Sequence, residues 1–344
     1  MAPSIPKTSR AVVLEAANAP WTIKEVETPA PKDGEVLIKV LACGVCQSDI
    51  SVQQGHFGPM VNFPITPGHE VIGKVVALGS GVTKFKIGDK VGGPWHGGHD
   101  GTCKACNRGL FQMCDNEAVN GVTRNGGYAE YCTLRTEAVV RIPDSADAAT
   151  YAPLLCAGIT VFNSIRRMNI AAGDMVAIQG LGGLGHLALQ YSRKMGYRTV
   201  ALSSSAAKKD FALQLGANEY IDTSKEDAAE ALQKLGGAAC VVVTAPNPKV
   251  ISGLVGGCAA GGKVVVLTPV GEVPVNTVTM IMKGISVHGW PSGHALDSEE
   301  AIAFAENQGV ECMVEKFPFD KVEDAVERVT SGKVRFRSVL VMEE

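Results

Sequence analysis

The sequence has little net charge, no long apolar run and no low-complexity tract, and each absence excludes a class of protein. The formal charge of −3 provides no basic field that could hold the phosphate backbone of a nucleic acid. No apolar run is long and charge-free enough to cross a bilayer, and residues 1–20 lack the apolar core of a secretory signal. We therefore expect a cytoplasmic protein that acts on a small molecule, with neither nucleic acid nor a membrane as its partner.

The sequence does have a large apolar fraction. Of its 344 residues, 46% are hydrophobic and 39 are glycine, which is typical of a globular protein with many tight turns. The chain is longer than the usual domain that folds around one hydrophobic core, so its length predicts two domains. There are also ten cysteines, and in a reducing compartment clustered cysteines are more often metal ligands than disulfides.

Two sequence patterns divide the chain. From Ala11 to about Val140, short β-rich runs alternate with Gly, Pro and Asp turn signals, which predicts an irregular antiparallel barrel or sandwich. After Cys156, continuous apolar strands alternate with amphipathic helices, which indicates a parallel sheet covered on both faces. Beyond Trp290 the chain predicts polar helices and one last strand, and this pattern alone leaves open which domain they join.

The stretch "GLGGLG" fits the dinucleotide-binding pattern G-x-G-x-x-G and lies between a predicted strand and a predicted helix. Gly180 permits the tight turn, Gly182 lets the backbone approach a pyrophosphate, and Gly185 allows the helix to lie close to the strand. The helix N-terminus attracts the phosphates. We predict a nucleotide site formed by Gly180, Gly182, Gly183, Leu184 and Gly185.

Side chains that bind metals well occur in three further segments: "CGVCQSD" with Cys46, "PGHEVIG" with His69 and "PLLCAGIT" with Cys156. Each of these side chains alone is more often a core residue. A cysteine-rich stretch lies between the second and third segments, and "GLGGLG" follows them. In this order the motifs resemble the zinc-dependent alcohol dehydrogenases of the medium-chain dehydrogenase/reductase superfamily.

The resemblance implies an α/β protein with a GroES-like β-barrel catalytic domain and a Rossmann-type doubly wound cofactor domain. The catalytic domain would comprise residues 1–157 and 295–344, with a zinc lobe near residues 97–116. The cofactor domain would comprise residues 158–294. Membership of this family also implies a homodimer or a homotetramer.

The resemblance further implies that Cys46, His69 and Cys156 hold a catalytic zinc ion, with the fourth position open for water or the substrate oxygen. Alcohol dehydrogenase is itself the known example of such a Cys₂His site. The implied reaction is reversible hydride transfer between an alcohol and a nicotinamide dinucleotide, with zinc polarising the substrate oxygen.

Polar residues beside these ligands receive roles from the same resemblance. Asp49 and Glu70 occupy positions where a carboxylate orients His69 or approaches the metal when its coordination changes. Ser48 matches the hydroxyl that bonds the substrate alcohol and starts a proton relay. Many family members continue this relay through a histidine where this chain has Ser51, so the proton must leave by another route.

The stretch "GGHDGTCKACNRGLFQMC" holds three cysteines, although structural zinc almost always takes four ligands. Family members commonly use C-x₂-C-x₂-C-x₇-C, and here Cys103, Cys106 and Cys114 keep the last three positions while Asp100 takes the first. We predict Asp100 as the fourth ligand because carboxylate oxygen also binds zinc. His99 as the ligand and loss of the metal are the alternatives. With Asp100 in place, the chain would bind two zinc ions.

The substrate and the reaction class leave alternatives open. Phe57 and Trp95 match regions that line the substrate pocket in relatives, so we expect an apolar alcohol or aldehyde of moderate size. One alternative is a zinc-independent quinone or enoyl reductase of the same fold, although such proteins lack the Cys, His, Cys set. The other is a non-enzymatic nucleotide-binding structural protein, which would have no reason to retain Ser48 beside three ligands.

Cofactor choice depends on the segment after the second strand of the nucleotide domain. In NAD-binding domains an acidic residue about 20 positions after the glycines binds the ribose hydroxyls and repels the 2′-phosphate of NADP. Here Ser203 takes that position, and no acidic residue occurs between Arg198 and Ala207. The serines and Lys208 or Lys209 suit a 2′-phosphate, as in NADP-dependent cinnamyl-alcohol-type members, so we predict a preference for NADP(H) over NAD(H). The alternative is that the serines merely cap the next helix. The predicted cofactor-binding side chains are Ser203, Ser204, Ser205, Lys208 and Arg337.

Overall fold

A computed structural model describes residues 5–343 of the chain, which form two compact units. The first unit contains the chain as far as Ile159, then Gly293–Ala303, and then the segment from Glu311 onwards. The second unit contains Thr160–Ser292 and Phe304–Val310.

This division differs from the predicted one mainly at Phe304–Val310, which the prediction assigned to the catalytic domain. Phe304 packs against Phe162 and Tyr191, with ring centroids 5.3 and 5.7 Å apart, and this contact places the segment in the second unit. The predicted boundaries after residues 157 and 294 are each two residues from the observed ones, after Ile159 and Ser292.

The strands among the described residues, in chain order, are β1 (Thr8–Val13), β2 (Thr22–Glu27), β3 (Glu35–Val45), β4 (Val71–Leu78), β5 (Lys90–Gly93), β6 (His96–Gly98), β7 (Ala118–Val119), β8 (Tyr131–Arg135), β9 (Val140–Arg141), β10 (Met175–Gln179), β11 (Arg198–Ser203), β12 (Glu219–Asp222), β13 (Ala238–Val243), β14 (Cys258–Val266), β15 (Ser286–Gly289), β16 (Val314–Pro318) and β17 (Arg337–Val341).

The α-helices in the same part of the chain are α1 (Gln47–Gln53), α2 (Ala148–Tyr151), α3 (Ala157–Arg167), α4 (Gly185–Lys194), α5 (Lys209–Gln214), α6 (Ala228–Lys234), α7 (Pro248–Leu254), α8 (Thr277–Lys283), α9 (Ala295–Gln308) and α10 (Val322–Thr330). Short 3₁₀ turns occur at Gly58–Met60, Cys106–Arg108, Phe111–Met113, Ala152–Leu155, Ala206–Lys208, Val255–Gly257 and Phe319–Lys321.

The first unit is organised around β3. Its main sheet has the order β16-β17-β3-β4-β5-β9, with β8 also pairing with β3. The pair β16–β17 is parallel, and the other pairs described in this sheet are antiparallel. Val36, Ile38 and Val40 alternate along β3 and enter one hydrophobic core, as expected for a strand with a period of two. The largely antiparallel sheet agrees with the antiparallel barrel or sandwich that the sequence pattern predicts for this part of the chain.

The C-terminal segment completes this sheet. β17 pairs with β3, with Leu340 opposite Cys43, so the last strand of the chain belongs to the first unit. The polar helix α10 packs on β17, and its Val322, Ala325 and Val326 enter the same core. The sequence pattern alone leaves this placement open. In the structure, β8 pairs with the first half of β3, and β17 pairs with its last residues.

The second unit is a parallel sheet with the strand order β12-β11-β10-β13-β14-β15. Numbered from β10, this is the 3-2-1-4-5-6 order of dinucleotide-binding domains. β10 and β13 consist largely of buried apolar residues because helices cover both faces of such a sheet. The order reverses between β10 and β13, and "GLGGLG" lies at the carboxyl end of β10, where such domains bind their ligand.

No single helix in residues 5–343 is long and apolar enough to cross a membrane. The bent pair Ala148–Leu155 and Ala157–Arg167, with an angle of 44° between its halves, meets the criterion of length and composition when the two are taken together.

Candidate metal centre and nucleotide loop

Four side chains from distant parts of the first unit converge on one point. Cys46, His69, Glu70 and Cys156 each offer a ligand atom, and these atoms all lie within 4.8 Å of one another. The Sγ atoms of Cys46 and Cys156 are 3.9 Å apart. Two thiolates at about 2.3 Å from a tetrahedral zinc ion would be separated by about 3.8 Å, so the spacing fits the metal.

Three local structures deliver these ligands. Cys46 follows β3 and precedes α1, where its backbone N–H donates to the Asp49 carboxylate at 2.9 Å. His69 and Glu70 follow Gly68, whose φ of +101° few other residues adopt, and lead into β4. Cys156 ends the 3₁₀ turn Ala152–Leu155 immediately before α3.

Asp49 orients the histidine. The Nδ1 atom of His69 donates to Asp49 Oδ1 at 2.9 Å, which leaves Nε2 as the atom with a free lone pair. Nε2 of His69 is buried and has no hydrogen-bond partner among the described residues. A buried imidazole nitrogen without a partner is costly unless it binds something, so the residues present fit a metal ion.

The hydrogen bonds and charges of the site shift the pKa values of its side chains. The hydrogen bond from Cys156 lowers the pKa of Cys46 well below its ordinary value, and the same bond together with burial raises the pKa of Cys156. Burial acts to lower the pKa of His69, but the charge and hydrogen bond of Asp49 outweigh burial and raise this pKa. A metal ion would compete with protons for the Cys156 thiol and the His69 imidazole, so its affinity falls as the pH is lowered.

Glu70 lies between the ligands and a buried arginine. Its Oε1 accepts a hydrogen bond from Arg337, whose side chain is also buried, and its Oε2 has no partner among the described residues. Burial raises the pKa of the Glu70 carboxyl to about 7, and Arg337 opposes this shift. Arg337, predicted as a cofactor-binding residue, is therefore placed by the structure in the first unit against Glu70.

Two aromatic rings lie on one side of His69. The Trp95 ring meets the His69 ring edge-on at 5.0 Å, and Phe57 packs on Trp95 at 5.8 Å. Both aromatic residues pack against a small buried cluster that includes Val52. Ser48 lies half-buried on α1, two residues after Cys46. The structure thus brings the predicted pocket residues to the predicted metal ligands.

A second cluster of potential ligands forms in the lobe. Asp100, Cys103, Cys106 and Cys114 offer ligand atoms that all lie within 4.8 Å of one another. Hydrogen bonds from Asn116 and from backbone N–H groups hold the pKa of Asp100 well below its usual range, so its carboxylate is ionised. Burial and a hydrogen bond with Cys114 raise the pKa of Cys106 to about 12.

His99, the alternative fourth ligand, is engaged elsewhere. Its Nδ1 lies 3.0 Å from Nε2 of His96, and its ring stacks on Phe111 at 4.2 Å. Nδ1 of His96 in turn donates to Glu117 at 2.9 Å. The structure therefore brings Asp100, rather than His99, to the three thiols.

In the second unit, the three glycines of the G-x-G-x-x-G pattern have different surroundings, and each suits glycine for its own steric reason. Gly180 has φ of +96°, and a Cβ there would lie 2.7 Å from that of Ala245. A Cβ on Gly185 would lie 1.9 Å from the carbonyl oxygen of Gly180, so only glycine lets α4 approach β10 this closely. A Cβ on Gly182 would meet nothing within 4 Å, so the space in front of this residue is open. Gly183 and Leu184 complete the loop, which fits a pyrophosphate.

The predicted cofactor-selecting residues lie at the end of β11 and just after it. Ser203 ends this strand half-buried, while Ser204 is exposed. The Ser205 hydroxyl accepts a hydrogen bond from Ala207 N at 3.3 Å, so this serine has the capping role that the alternative interpretation gave to all three. Lys208 donates through Nζ to the carbonyl oxygen of Leu181 at 3.2 Å, which brings its charge to the glycine loop.

Sequence reasoning missed three residues that bear on these sites. Tyr128 donates its hydroxyl to Asp49, Gly44 lies against Glu70, and Asp222 is the partner of Ser203 in the pairing of β11 with β12. Each contact joins residues from different strands or loops, and no single motif contains both. The paired glycines in "GGYAE" were the only local sign of a crowded position near Tyr128.

Comparison with known proteins matches both halves of the chain. Residues 32–144 match the family described as "Alcohol dehydrogenase GroES-like domain", and residues 183–330 match "Zinc-binding dehydrogenase". The chain is 56% identical over 342 residues to alcohol dehydrogenase patD of Penicillium expansum, covering 99% of this chain and 100% of that protein. It is 36% identical over 337 residues to an alcohol dehydrogenase of Geobacillus stearothermophilus, covering 97% and 99%.

Solved structures are similar along nearly the whole chain. A cinnamyl alcohol dehydrogenase from Sorghum bicolor has a TM-score of 0.88 at 30% identity, covering 98% of this chain and 100% of that one. Acetophenone reductase from Geotrichum candidum, in complex with NAD, has 0.86 at 26%, covering 98% of both chains. A zinc-binding dehydrogenase from Sinorhizobium meliloti, bound to NADP, has 0.87 at 25%, covering 98% and 100%.

Proposed function

The chain belongs to the alcohol dehydrogenases of the medium-chain dehydrogenase/reductase superfamily, and from this premise we propose that Cys46, His69 and Cys156 form its catalytic zinc site. The enzyme is an oxidoreductase that acts on a small-molecule alcohol or aldehyde with a nicotinamide cofactor. One observation carries the proposed site: Nε2 of His69 is buried without a partner beside two thiols, while Asp49 holds Nδ1. Imidazole and thiolates are the donor set that zinc prefers.

Each group in the site has a separate task. Cys46, His69 and Cys156 would hold a zinc ion that supplies a Lewis acid for the substrate oxygen, and a nicotinamide cofactor would supply the hydride chemistry. Asp49 fixes the tautomer of His69, and the Ser48 hydroxyl would accept the proton of the substrate alcohol while passing its own proton on toward solvent. Trp95 and Phe57 exclude water on one side and suit an apolar substrate of moderate size.

A second zinc ion completes the proposal. Asp100 and the thiols of Cys103, Cys106 and Cys114 form a closed four-ligand set, as in structural zinc sites. Asn116 donates to Asp100 Oδ2 at 2.7 Å and holds the carboxylate in place. We expect this ion to close the lobe without taking part in the reaction.

Metal content tests both sites. Metal-replete protein should contain about two zinc ions per chain, and Cys46→Ser and Asp100→Ala should each contain about one. Cys46→Ser should lower alcohol oxidation at least about a hundredfold, because the loss of one thiolate disables the catalytic ion, while the fold stays intact. Asp115→Ala is the matched control for the lobe, since Asp115 is an exposed neighbour outside the ligand set.

Each site can fail separately in this experiment. Near wild-type turnover in Cys46→Ser would contradict the proposed catalytic site. About one zinc ion per chain in wild-type protein prepared with excess metal would contradict the lobe site alone.

We further propose that NADP(H) is preferred over NAD(H). Ser203 stands where an acidic residue would repel the 2′-phosphate, and Lys208 lies within hydrogen-bond distance of the glycine loop. Asp222, the last residue of β12, accepts a hydrogen bond from the Ser224 hydroxyl at 2.6 Å. Its carboxylate also lies 3.7 Å from the Lys225 ammonium group. Similar solved structures hold either NAD or NADP, so the support for NADP(H) comes from these side chains.

The remaining proposals concern assembly and location. We propose a homodimer or homotetramer, because α8, which packs on β14 and precedes the edge strand β15 in the chain, exposes an apolar face. We also propose a cytoplasmic location, because the five cysteines of the two metal clusters must stay reduced to bind zinc. Cell fractionation tests the location, and recovery of the protein in an oxidising compartment would contradict it.

A further inference from the structure

Tyr128 is packed onto the loop that carries the metal-binding histidine. Its side chain is fully buried, and its backbone N–H donates to the carbonyl oxygen of Pro67 at 3.0 Å. A Cβ on Gly68 would lie 2.4 Å from Cδ1 of Tyr128, so the tyrosine ring fills the space that glycine leaves. The position of the Tyr128 ring and the position of the loop before His69 are therefore coupled by contact.

The Tyr128 hydroxyl donates to Oδ2 of Asp49 at 3.1 Å. Oδ2 also accepts from Cys46 N at 2.9 Å, and Oδ1 accepts from Gly68 N at 3.2 Å and from His69 Nδ1 at 2.9 Å. Burial and the neighbouring carboxylate raise the pKa of Tyr128, so the hydroxyl keeps its proton and acts as the donor. Asp49 thus contacts two residues of the proposed metal site, and Tyr128 shares its Oδ2 atom with the backbone N–H of Cys46.

On the basis of the zinc site proposed above, we propose that Tyr128 is a positioning residue for the catalytic metal and acts through Asp49. Two hydrogen bonds on each carboxylate oxygen fix the rotation of the Asp49 side chain. With the tyrosine hydroxyl removed, Oδ2 keeps only the bond from Cys46 N, and the carboxylate gains freedom to turn. That freedom loosens the orientation of His69, and partners of metal ligands at this distance typically affect metal retention.

The test is zinc release from the holoenzyme to a colorimetric chelator in excess. Cys46→Ser identifies the release phase of the catalytic site, because that phase should be missing from this variant. Tyr128→Phe keeps the ring and removes one oxygen atom, and we expect it to release catalytic zinc about tenfold faster. The lobe phase should not change. After cobalt substitution, the visible absorption bands of the catalytic site should also shift in Tyr128→Phe.

Two controls separate positioning from general packing. Tyr191→Phe makes the same change at a fully buried tyrosine of the second unit and should leave both release phases unchanged. In an Asp49→Asn background, Tyr128→Phe should have a much smaller effect than in wild type, because both residues act through one contact. Site-specific replacement of Tyr128 by 3-fluorotyrosine keeps the ring, strengthens the donor and should slow the catalytic phase, so it provides a second readout if Tyr128→Phe folds poorly.

The outcomes are distinguishable. Unchanged catalytic release and unchanged cobalt bands in Tyr128→Phe, with equal loss of thermal stability in apo and holo protein, would show a structural role only and overturn the proposal. A wild-type enzyme with no release phase missing from Cys46→Ser would instead overturn the zinc site, and the role of Tyr128 with it.

Discussion

Gly44 determines where the Glu70 carboxylate can lie. A Cβ on Gly44 would be 1.9 Å from Oε2 and 2.9 Å from Cδ of Glu70, both far closer than atoms approach in proteins. The Gly44 backbone N–H also donates to the Glu70 carbonyl oxygen at 3.0 Å, so strand and loop cannot separate easily. Glu70 is thus confined between Gly44 and Arg337 beside the proposed metal ligands.

We therefore expect Gly44→Ala to displace the Glu70 side chain and disturb the catalytic site. The added methyl group should cost about 1–3 kcal/mol of stability, as overpacking in a core usually does. Because Glu70 has to move toward the ligands or break from Arg337, kcat/KM should fall about tenfold or more. Steady-state kinetics, zinc content and thermal unfolding would measure these effects.

Gly253→Ala is the matched control, because a Cβ at Gly253 meets nothing within 4 Å. It should leave kcat/KM at the wild-type value. The double variant Gly44→Ala/Glu70→Asp should recover part of the lost thermal stability, since the shorter carboxylate reduces the clash. Wild-type kinetics in Gly44→Ala would show that the strand simply shifts and that Glu70 is not confined.

Residue chemistry explains which parts of the proposed metal site could be predicted from the sequence. Cys46, His69 and Cys156 are visible because few other residue types bind zinc, and their motifs have a family order. Tyr128 and Gly44 are not visible in this way. Their roles arise from contacts between β3, the loop before β4 and the segment before β8, which a linear motif does not encode.

At the scale of elements, the turn after β11 carries the cofactor prediction. Lys208→Ala should weaken NADP(H) binding about tenfold and NAD(H) binding little, because a hydrogen bond to a charged group contributes about 1.5–3 kcal/mol. Ser203→Asp should shift the preference toward NAD(H), since a carboxylate there repels the 2′-phosphate. The ratio of kcat/KM values for the two cofactors measures both changes.

Two comparisons sharpen this measurement. Asp222→Asn removes the negative charge across the strand pair from Ser203, and we expect a modest rise in the preference for NADP(H). Lys209→Ala changes the adjacent lysine, for which the structure gives no contact with the glycine loop, and its effect should be smaller than that of Lys208→Ala. A higher kcat/KM with NAD(H) than with NADP(H) in the wild type would contradict the cofactor assignment.

Element types were readable from the sequence where a periodic pattern was long. The run "EVLIKVLACGV" became β3, and "SEEAIAFAENQG" lies within and just after α9. The pairing partners of the elements were harder to predict. Nothing in "RSVLVM" indicates that β17 pairs with β3. Likewise, nothing in the sequence of α9 indicates that this helix passes from one unit into the other at Phe304. Pairing depends on which edges remain open after the rest of the chain has folded, and this information is not local.

At the scale of the whole molecule, the second unit has two open sheet edges, β12 and β15. Helix α8 packs on β14 and precedes β15 in the chain, and it exposes Val278 by 69% and Ile281 and Met282 by 79% each. These three positions have the spacing i, i+3 and i+4 and therefore lie on one face of the helix. An exposed apolar face in a unit with an open sheet edge is typical of an interface, and a second copy of the chain would supply the same pair of features in return.

We predict that this face forms the contact between subunits of a homo-oligomer. Ile281→Glu places a charge in the middle of the apolar face and should shift the protein toward monomer, because burying an unpaired carboxylate at an interface is strongly unfavourable. Leu213→Glu is the matched control: Leu213 is a 40% exposed apolar residue on α5, which contacts the opposite edge strand, and its replacement should leave the assembly unchanged. Sedimentation velocity over a range of concentrations would measure the mass of each variant. A monomeric wild-type protein, or an Ile281→Glu variant with the wild-type mass, would place the subunit contact elsewhere or remove it.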